Sequence, residues 1–237
     1  MRVLVIPDVH LKPKMFIRAC GLMQNGVADR AVCLMDIADD WWQEFNLGLY
    51  ERAYDAAIEF AKRFPDTLWC YGNHDVCYLW DRRETGYSAR AAGTVRRKLA
   101  ELRRALPNYG QLAYLHRIGN CLFSHAGLAD RFVRRHVCAD AVEDTERVIM
   151  TVNGLEADPM WELDSPIWYR PQYDGGSGLY KKDKIIQVVG HTPVPELKAE
   201  NGLMSCDVFS TDRNGNPVGT QEFLLLDTDT AEYCGIR

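Results

Sequence analysis

Five times along the chain, an apolar, strand-like run ends on a short polar cluster that carries Asp, His or Asn. Arg2–Ile6 leads into Asp8-Val9-His10, and Ala31–Leu34 into Asp36-Ile37-Ala38-Asp39-Asp40. Thr67–Tyr71 leads into Gly72-Asn73-His74-Asp75, and the run from Cys121 into Ser124-His125-Ala126-Gly127. The last, Lys184–Val189, leads into Gly190-His191-Thr192-Pro193. In an α/β sheet the loops at the carboxyl ends of the strands gather on one rim, where ligands bind. The repeated arrangement therefore predicts that Asp, His and Asn side chains from five loops meet in one place. Four of the six histidines fall in these clusters, and His116 and His136 do not.

The rest of the chain fits such a scaffold. Further strands are predicted over Gln111–His116, Leu203–Cys206 and Glu222–Leu226. Helices are predicted over Phe16–Met23, Leu47–Arg63, Ser88–Ala105, Asp130–Arg135 and Ala139–Val152. Leu47, Tyr50, Tyr54, Ala57, Ile58 and Ala61 recur at helical spacing, with Glu51, Arg52, Asp55, Glu59 and Lys62 on the other face. The first half thus alternates strand and helix, the pattern of a layered α/β fold. The second half is richer in hairpin-like segments, and Asn214-Gly215-Asn216-Pro217 is a turn signal. Asp158 to Lys184, with Pro166, Pro171 and Gly175-Gly176, is long and irregular for a connector, which points to a functional loop.

With 237 residues, 47% of them hydrophobic and 26% charged, the chain has the composition of a globular protein with a sizeable core. A net charge of −5 argues against a surface that coats nucleic acid. It leaves a phosphorylated substrate open, because bound metal ions reverse the local sign. None of the eight cysteines forms a Cys-x-x-Cys pair, and several sit in apolar runs as small hydrophobes. The expectation is a reduced, cytoplasmic protein. Val3–Ile6 is too short for a signal peptide and no run is long enough for a membrane span, so a soluble protein is expected.

Taken in order, Asp-x-His, Asp-x-x-Asp, Gly-Asn-His-Asp, Ser-His-Ala-Gly and Gly-His-Thr-Pro resemble the motifs of the calcineurin-like metallophosphoesterases. The last two motifs are most similar to those of bacterial and phage protein phosphatases and of symmetrical diadenosine tetraphosphatases. The resemblance runs from Asp8 to Pro193, and Gly-Asn-His-Asp is its most specific piece. It implies one domain over residues 1–237, built as a four-layer α/β/β/α sandwich of two mixed sheets. It also implies two divalent ions. Asp8 and His10 would hold the first, Asp36 would bridge both, and Asn73, His125 and His191 would hold the second. Carboxylate and amide oxygens mixed with imidazoles suit Mn²⁺ foremost, with Fe or Zn²⁺ as alternatives. Two such ions about 3.5–4 Å apart clamp a phosphoryl oxygen and turn a shared water into the attacking hydroxide. His74 would protonate the leaving oxygen and Asp39 would orient it. Arg170, in a Trp-x-Arg segment, would contact the phosphate.

The leading expectation is a phosphomonoesterase, acting on a phosphorylated small molecule, a nucleotide or a phosphoprotein. A nucleotidase or dinucleoside polyphosphate hydrolase is the enzymatic alternative, and a metal-binding interaction module the non-enzymatic one. Three positions depart from the family: Leu11 and Met35 stand where it has glycine, and Asp40 where protein phosphatases have an arginine. An acid at Asp40 repels a phosphate if it faces the pocket, and is neutral if it caps the following turn instead. Arg170 is the first candidate for a compensating cation, with Arg82 and Arg83 in reserve. Other residues keep two readings. His74 is an acid or a structural partner of Asp39, and Arg170 a phosphate contact or a solvated loop residue. Trp41-Trp42 is a stacking surface or wall packing. Asp207 either supports the site from behind its ligands or has no part in it. Arg96-Arg97-Lys98 and Arg103-Arg104 read as a solvated helix face.

Overall fold

The computed structural model describes residues 1–237. Strands β1 (Arg2–Ile6), β2 (Arg30–Cys33), β3 (Leu68–Cys70) and β4 (Leu112–Ala113) run parallel in a six-stranded sheet. On the far side of β1, the antiparallel β10 (Phe223–Asp227) and β11 (Tyr233–Ile236) complete it. The five-stranded second sheet has the order β5 (Leu115–Ile118), β6 (Cys121–Ser124), β7 (Ile186–Val189), β9 (Leu203–Ser205), β8 (Lys198–Glu200). Within it β6, β7 and β9 are mutually parallel, so both sheets are mixed.

Strand alternation divides the apolar residues into three layers of core. Val3, Val5 and Val32 face Phe123, Val188 and Met204 across the space between the sheets. Leu4, Ile6 and Cys33 point the other way, onto helices α1 (Lys14–Gln24), α2 (Leu47–Arg63) and α4 (Ala92–Ala105). Leu122 and Val189 cover the outer face of the second sheet with Phe132 and Val133 of α5 (Asp130–His136) and Val148 and Val152 of α6 (Thr145–Asn153). These are the four layers expected. Strands buried on both faces explain the near-continuous apolar runs of the sequence. No helix is long and apolar enough to cross a membrane.

Several boundaries differ from the sequence reading. Gln111–His116 is not one strand: its parts join different sheets, and the chain crosses between them at Tyr114. Asn153 makes the crossing possible. Its Oδ1 accepts from the backbone N–H of Tyr114 at 3.1 Å and of Leu115 at 2.9 Å, and its Nδ2 donates to the Leu115 carbonyl at 3.0 Å. The Gly-Asn-His-Asp cluster is not a loop but opens a helix, α3 (Asn73–Trp80). The helix predicted from Ala139 begins at Thr145, where Asp144 accepts from the N–H groups of Glu146 and Arg147. Edge strands β8 and β11 and the short α7 (Ala157–Met160) were not anticipated.

Leu11 (φ 56°) and Met35 (φ 59°) both adopt the left-handed conformation that their family glycines provide without strain. For a residue with a Cβ this costs about 1–2 kcal/mol. Both side chains are buried against the helices, and burying a side chain of this size contributes about 1.5–3 kcal/mol. Burial offsets the strain. Replacing Leu11 by Gly or by Ala removes the same packing, but only Gly relieves the backbone. Leu11→Gly is therefore expected to be no more destabilising than Leu11→Ala, against the usual order in which Gly is worse. Chemical denaturation of the two variants checks this; a clearly lower stability for Leu11→Gly contradicts the strain argument.

Candidate active site

The carboxyl ends of β1, β2 and β3 in one sheet and of β6 and β7 in the other deliver the five clusters to a common rim. The first two loops are stitched together by their backbones: Val9, His10 and Leu11 donate to the carbonyls of Met35, Asp36 and Ile37 at 3.0, 2.7 and 3.0 Å. His10, Asp36, Asp39 and His191 all have positive φ values, at 41°, 40°, 59° and 61°. Backbone strain of this kind concentrates where side chains must be aimed at one point.

Two groups of potential ligand atoms result, each lying within 4.8 Å of one another: Asp8, His10 and Asp36, and Asp36, His125 and His191. Asp36 belongs to both. In His125, Nδ1 lies 2.9 Å from the Leu34 carbonyl and so carries the ring proton. Its Nε2 then stands 3.0 Å from Asn73 Oδ1, 3.1 Å from His191 Nδ1 and 3.2 Å from Asp36 Oδ2. These atoms bear lone pairs and repel one another unless a cation or a proton sits among them. His10 is oriented in the same way, donating from Nδ1 to the Asp39 carbonyl at 2.9 Å. An imidazole whose outer N–H is fixed on a carbonyl is pre-set to bind a metal through its other nitrogen.

Asp8 accepts from the His191 N–H through Oδ1 at 2.8 Å, while its buried Oδ2 has no partner. Glycine is required around these carboxylates. A Cβ on Gly190 would lie 1.9 Å from Asp8 Oδ2, and one on Gly72 2.0 Å from Asp36 Oδ1. Burial, followed by the Asp207 charge, raises the Asp8 carboxyl well above the ordinary range. For Asp36 burial acts upward too, but His125 and His74 outweigh it and hold the group ionised. Burial depresses His125, yet the charges of Asp36 and Asp8 lift it to about 9. His191 is pushed far down by burial, then by His125 and Arg170.

Beside these groups, His74 Nδ1 meets Asp39 Oδ2 at 3.0 Å, with its side chain 19% exposed. Asp39 is immobilised by two phenols, Tyr50 at 2.7 Å and Tyr78 at 2.5 Å, both on Oδ1. Burial lowers the affinity of His74 for a proton, but Asp36, Glu84 and Asp39 outweigh it and raise the imidazole to about 10.

A cavity of about 310 Å³ opens onto His10, Asp36, Asn73, His74 and His191, and Glu84, Thr85, Trp168 and Arg170 complete its wall. Arg170 is thus placed at the site. One guanidinium nitrogen is held by the His191 carbonyl at 3.0 Å and the Thr192 hydroxyl at 3.1 Å. Asp40 does not line the cavity. Lys12 binds its Oδ2 at 3.2 Å, and the Trp41 N–H and Thr211 hydroxyl bind Oδ1 at 2.9 and 3.0 Å. The reserve cations are also elsewhere: Arg82 pairs with Asp158 over the Trp161 ring, and Arg83 is exposed. Trp41 and Trp42 lie outside the wall, their indole N–H groups bound to the Thr211 and Arg213 carbonyls. Asp207 is buried, accepts from the Ser210 hydroxyl at 2.8 and 2.9 Å, and adds its charge to the Asp8 environment. Arg97 is exposed and pairs with Glu51 and Glu101, as a solvated face would, but Lys98 is buried, its ammonium held by Asp55 and Glu101, so the expected solvated face does not extend to it. Glu84, Trp168, Tyr50 and Tyr78 were missed as site residues. Trp168 stood beside Arg170 in the Trp-x-Arg segment, but Glu84 had no motif to mark it.

The family model described as calcineurin-like phosphoesterase matches residues 1–221. The chain belongs to that family. This phosphoesterase is accordingly a metal-dependent hydrolase of phosphoric esters. Among solved structures it is similar to a cold-active protein-tyrosine phosphatase from a psychrophilic Shewanella species, with 16% identity, 100% of this chain and 80% of that one covered, and a TM-score of 0.55. A protein serine/threonine phosphatase from Saccharomyces cerevisiae shares 14% identity, with 95% and 72% covered and a TM-score of 0.50. Both likenesses concern the fold. No curated protein matches the sequence at a significant level.

The contact between Gly190 and Asp8 yields a test of the phosphoesterase site. In Gly190→Ala the Asp8 carboxylate or the loop must shift by an ångström or more, and a misplacement of that size costs about 100-fold in rate. Hydrolysis of p-nitrophenyl phosphate is expected to fall at least that far, with far-UV circular dichroism unchanged. Undiminished turnover would show that Asp8 is not needed where it stands.

Proposed function

We propose that this phosphoesterase is a single domain over residues 1–237 that hydrolyses phosphomonoesters at a dinuclear metal centre. Asp8 and His10 hold one ion, Asn73, His125 and His191 the other, and Asp36 bridges them. The observation that carries this reading is the membership of Asp36 in both ligand groups. The partnerless Asp8 Oδ2 and the crowd of lone pairs around His125 Nε2 fit cations at both places. The donor set suits Mn²⁺, with Fe or Zn²⁺ as alternatives. Such a pair of ions neutralises phosphoryl charge and lowers the pKa of a bound water.

The remaining work falls to side chains. Arg170 offers its unengaged guanidinium nitrogens to the non-bridging phosphate oxygens, a contact for which the planar fork is suited. With Asp40 tied to Lys12 and Thr211, no carboxylate from that position opposes the substrate. His74, its Nδ1 fixed by Asp39, holds a proton at Nε2 for the leaving oxygen. Trp168 forms an apolar part of the wall. The eight free cysteines suit a reducing, cytoplasmic setting.

Asp36→Asn should lower metal content below that of Asp8→Asn, since it removes a ligand from both ions rather than one. Elemental analysis of the purified variants decides, and full occupancy in Asp36→Asn would sink the bridging assignment.

General acid catalysis contributes about 10²–10⁴-fold. His74→Asn is expected to lose kcat within that range on alkyl phosphates and much less on p-nitrophenyl phosphate, whose leaving group needs no proton. Both ions should stay bound. An equal loss on good and poor leaving groups would remove His74 from the role of acid.

A further inference from the structure

Glu84 is a site residue that no motif marks. It stands in the turn after α3, and its side chain is only 9% exposed. Oε2 accepts from Asn73 Nδ2 at 2.8 Å. Oε1 is buried without a partner, in the wall of the cavity, 3.9 Å from His74 Nδ1. A buried carboxylate with so few partners costs free energy, so its retention there calls for a reason. The turn is built to bring it in: Gly86 has φ +86°, and the position of its absent Cβ lies 3.4 Å from Asp39 Cβ and 3.6 Å from His74 Cε1. That packing closes the turn over the His74–Asp39 pair.

Asn73 explains what Glu84 does there. A carboxamide has two nearly isosteric ends, of which only the oxygen donates a lone pair to a cation. Turned one way, Asn73 presents Oδ1 toward His125 and Asp36; turned the other, it presents an NH₂ group there. An ionised carboxylate at Oε2 accepts from NH₂ in a charge-assisted bond and repels a carbonyl oxygen, so it selects the first orientation. We propose that Glu84 is a positioning residue that holds the Asn73 amide with its oxygen facing the second metal position. This rests on the dinuclear reading above.

The test is Mn²⁺ titration of the metal-free full-length protein by calorimetry, with thermal unfolding of each variant alongside. Wild type, Asn73→Ala, Glu84→Ala and Glu84→Gln are compared. Asn73→Ala identifies the ion it weakens as the second. Outer partners of metal ligands typically account for 10–100-fold in affinity. Glu84→Ala is expected to weaken that same ion by such a factor and leave the other unchanged. Glu84→Gln keeps an acceptor for Asn73 Nδ2 and should recover most of the loss. If Asn73→Ala weakens one ion and Glu84→Ala leaves it untouched, the positioning role is overturned while the metal centre stands. If Asn73→Ala changes neither affinity, the assignment of the second ion fails and the inference falls with it. Equal weakening of both ions by Glu84→Ala and Glu84→Gln, with lowered thermal stability, would show a packing role and overturn the proposal.

Discussion

A carboxylate removed from water must be met by hydrogen bonds or by positive charge, and Asp36 organises the whole rim around that requirement. Its Oδ1 takes the backbone N–H of His74 at 2.9 Å, its Oδ2 approaches His125, and its carbonyl takes the N–H of His10. One residue thereby joins the ends of β1, β3 and β6, which lie in different sheets. The sheets themselves are held by the apolar layer between them, but that layer does not set where five loops point. Gly72 exists as glycine because the Asp36 carboxylate occupies the space of its Cβ.

The charge at the rim is lopsided. Asp8, Asp36, Asp39, Asp75, Asp207 and the Glu84 side chain crowd into a region where His10 and His191 are held neutral by burial. Hydrogen bonds meet part of the cost. Tyr50 and Tyr78 serve Asp39, Tyr54 and the Ile37 N–H serve Asp75, and Ser210 serves Asp207. What they leave over, the free Asp8 oxygen above all, is the electrostatic counterpart of a cation site. A mild net charge over the whole chain hides this concentration, so bulk composition reported nothing of it.

Legibility followed the range of the interaction that fixes each feature. Strand cores such as Arg2–Ile6 and Cys121–Ser124, and the helix Leu47–Arg63, were readable because burial on known faces sets their periodicity locally. Eight of the nine residues named for the site converge because each sits one to six places beyond a strand end, a relation that is local in sequence; Arg170 comes instead from the long loop before β7. Features decided by distant partners were not readable. The crossing at Tyr114 depends on Asn153, and Glu84 is a site residue only because its turn folds back on Asn73. Asp40 had two open orientations until Thr211, far along the chain, selected one. Edge strands β8 and β11 are largely exposed and therefore lacked an apolar pattern.

The departures from the family pattern fall into two physical kinds. Leu11 and Met35 keep the left-handed backbone that glycine favours and compensate the strain with buried packing. Asp40 changes charge rather than shape, and the fold answers by turning it onto Lys12 and two hydrogen-bond donors outside the cavity. The arginine found there in protein phosphatases is thus replaced by nothing facing the phosphate. Arg170 is left as the arginine of the cavity wall, opposite in sign to Glu84 on the same wall.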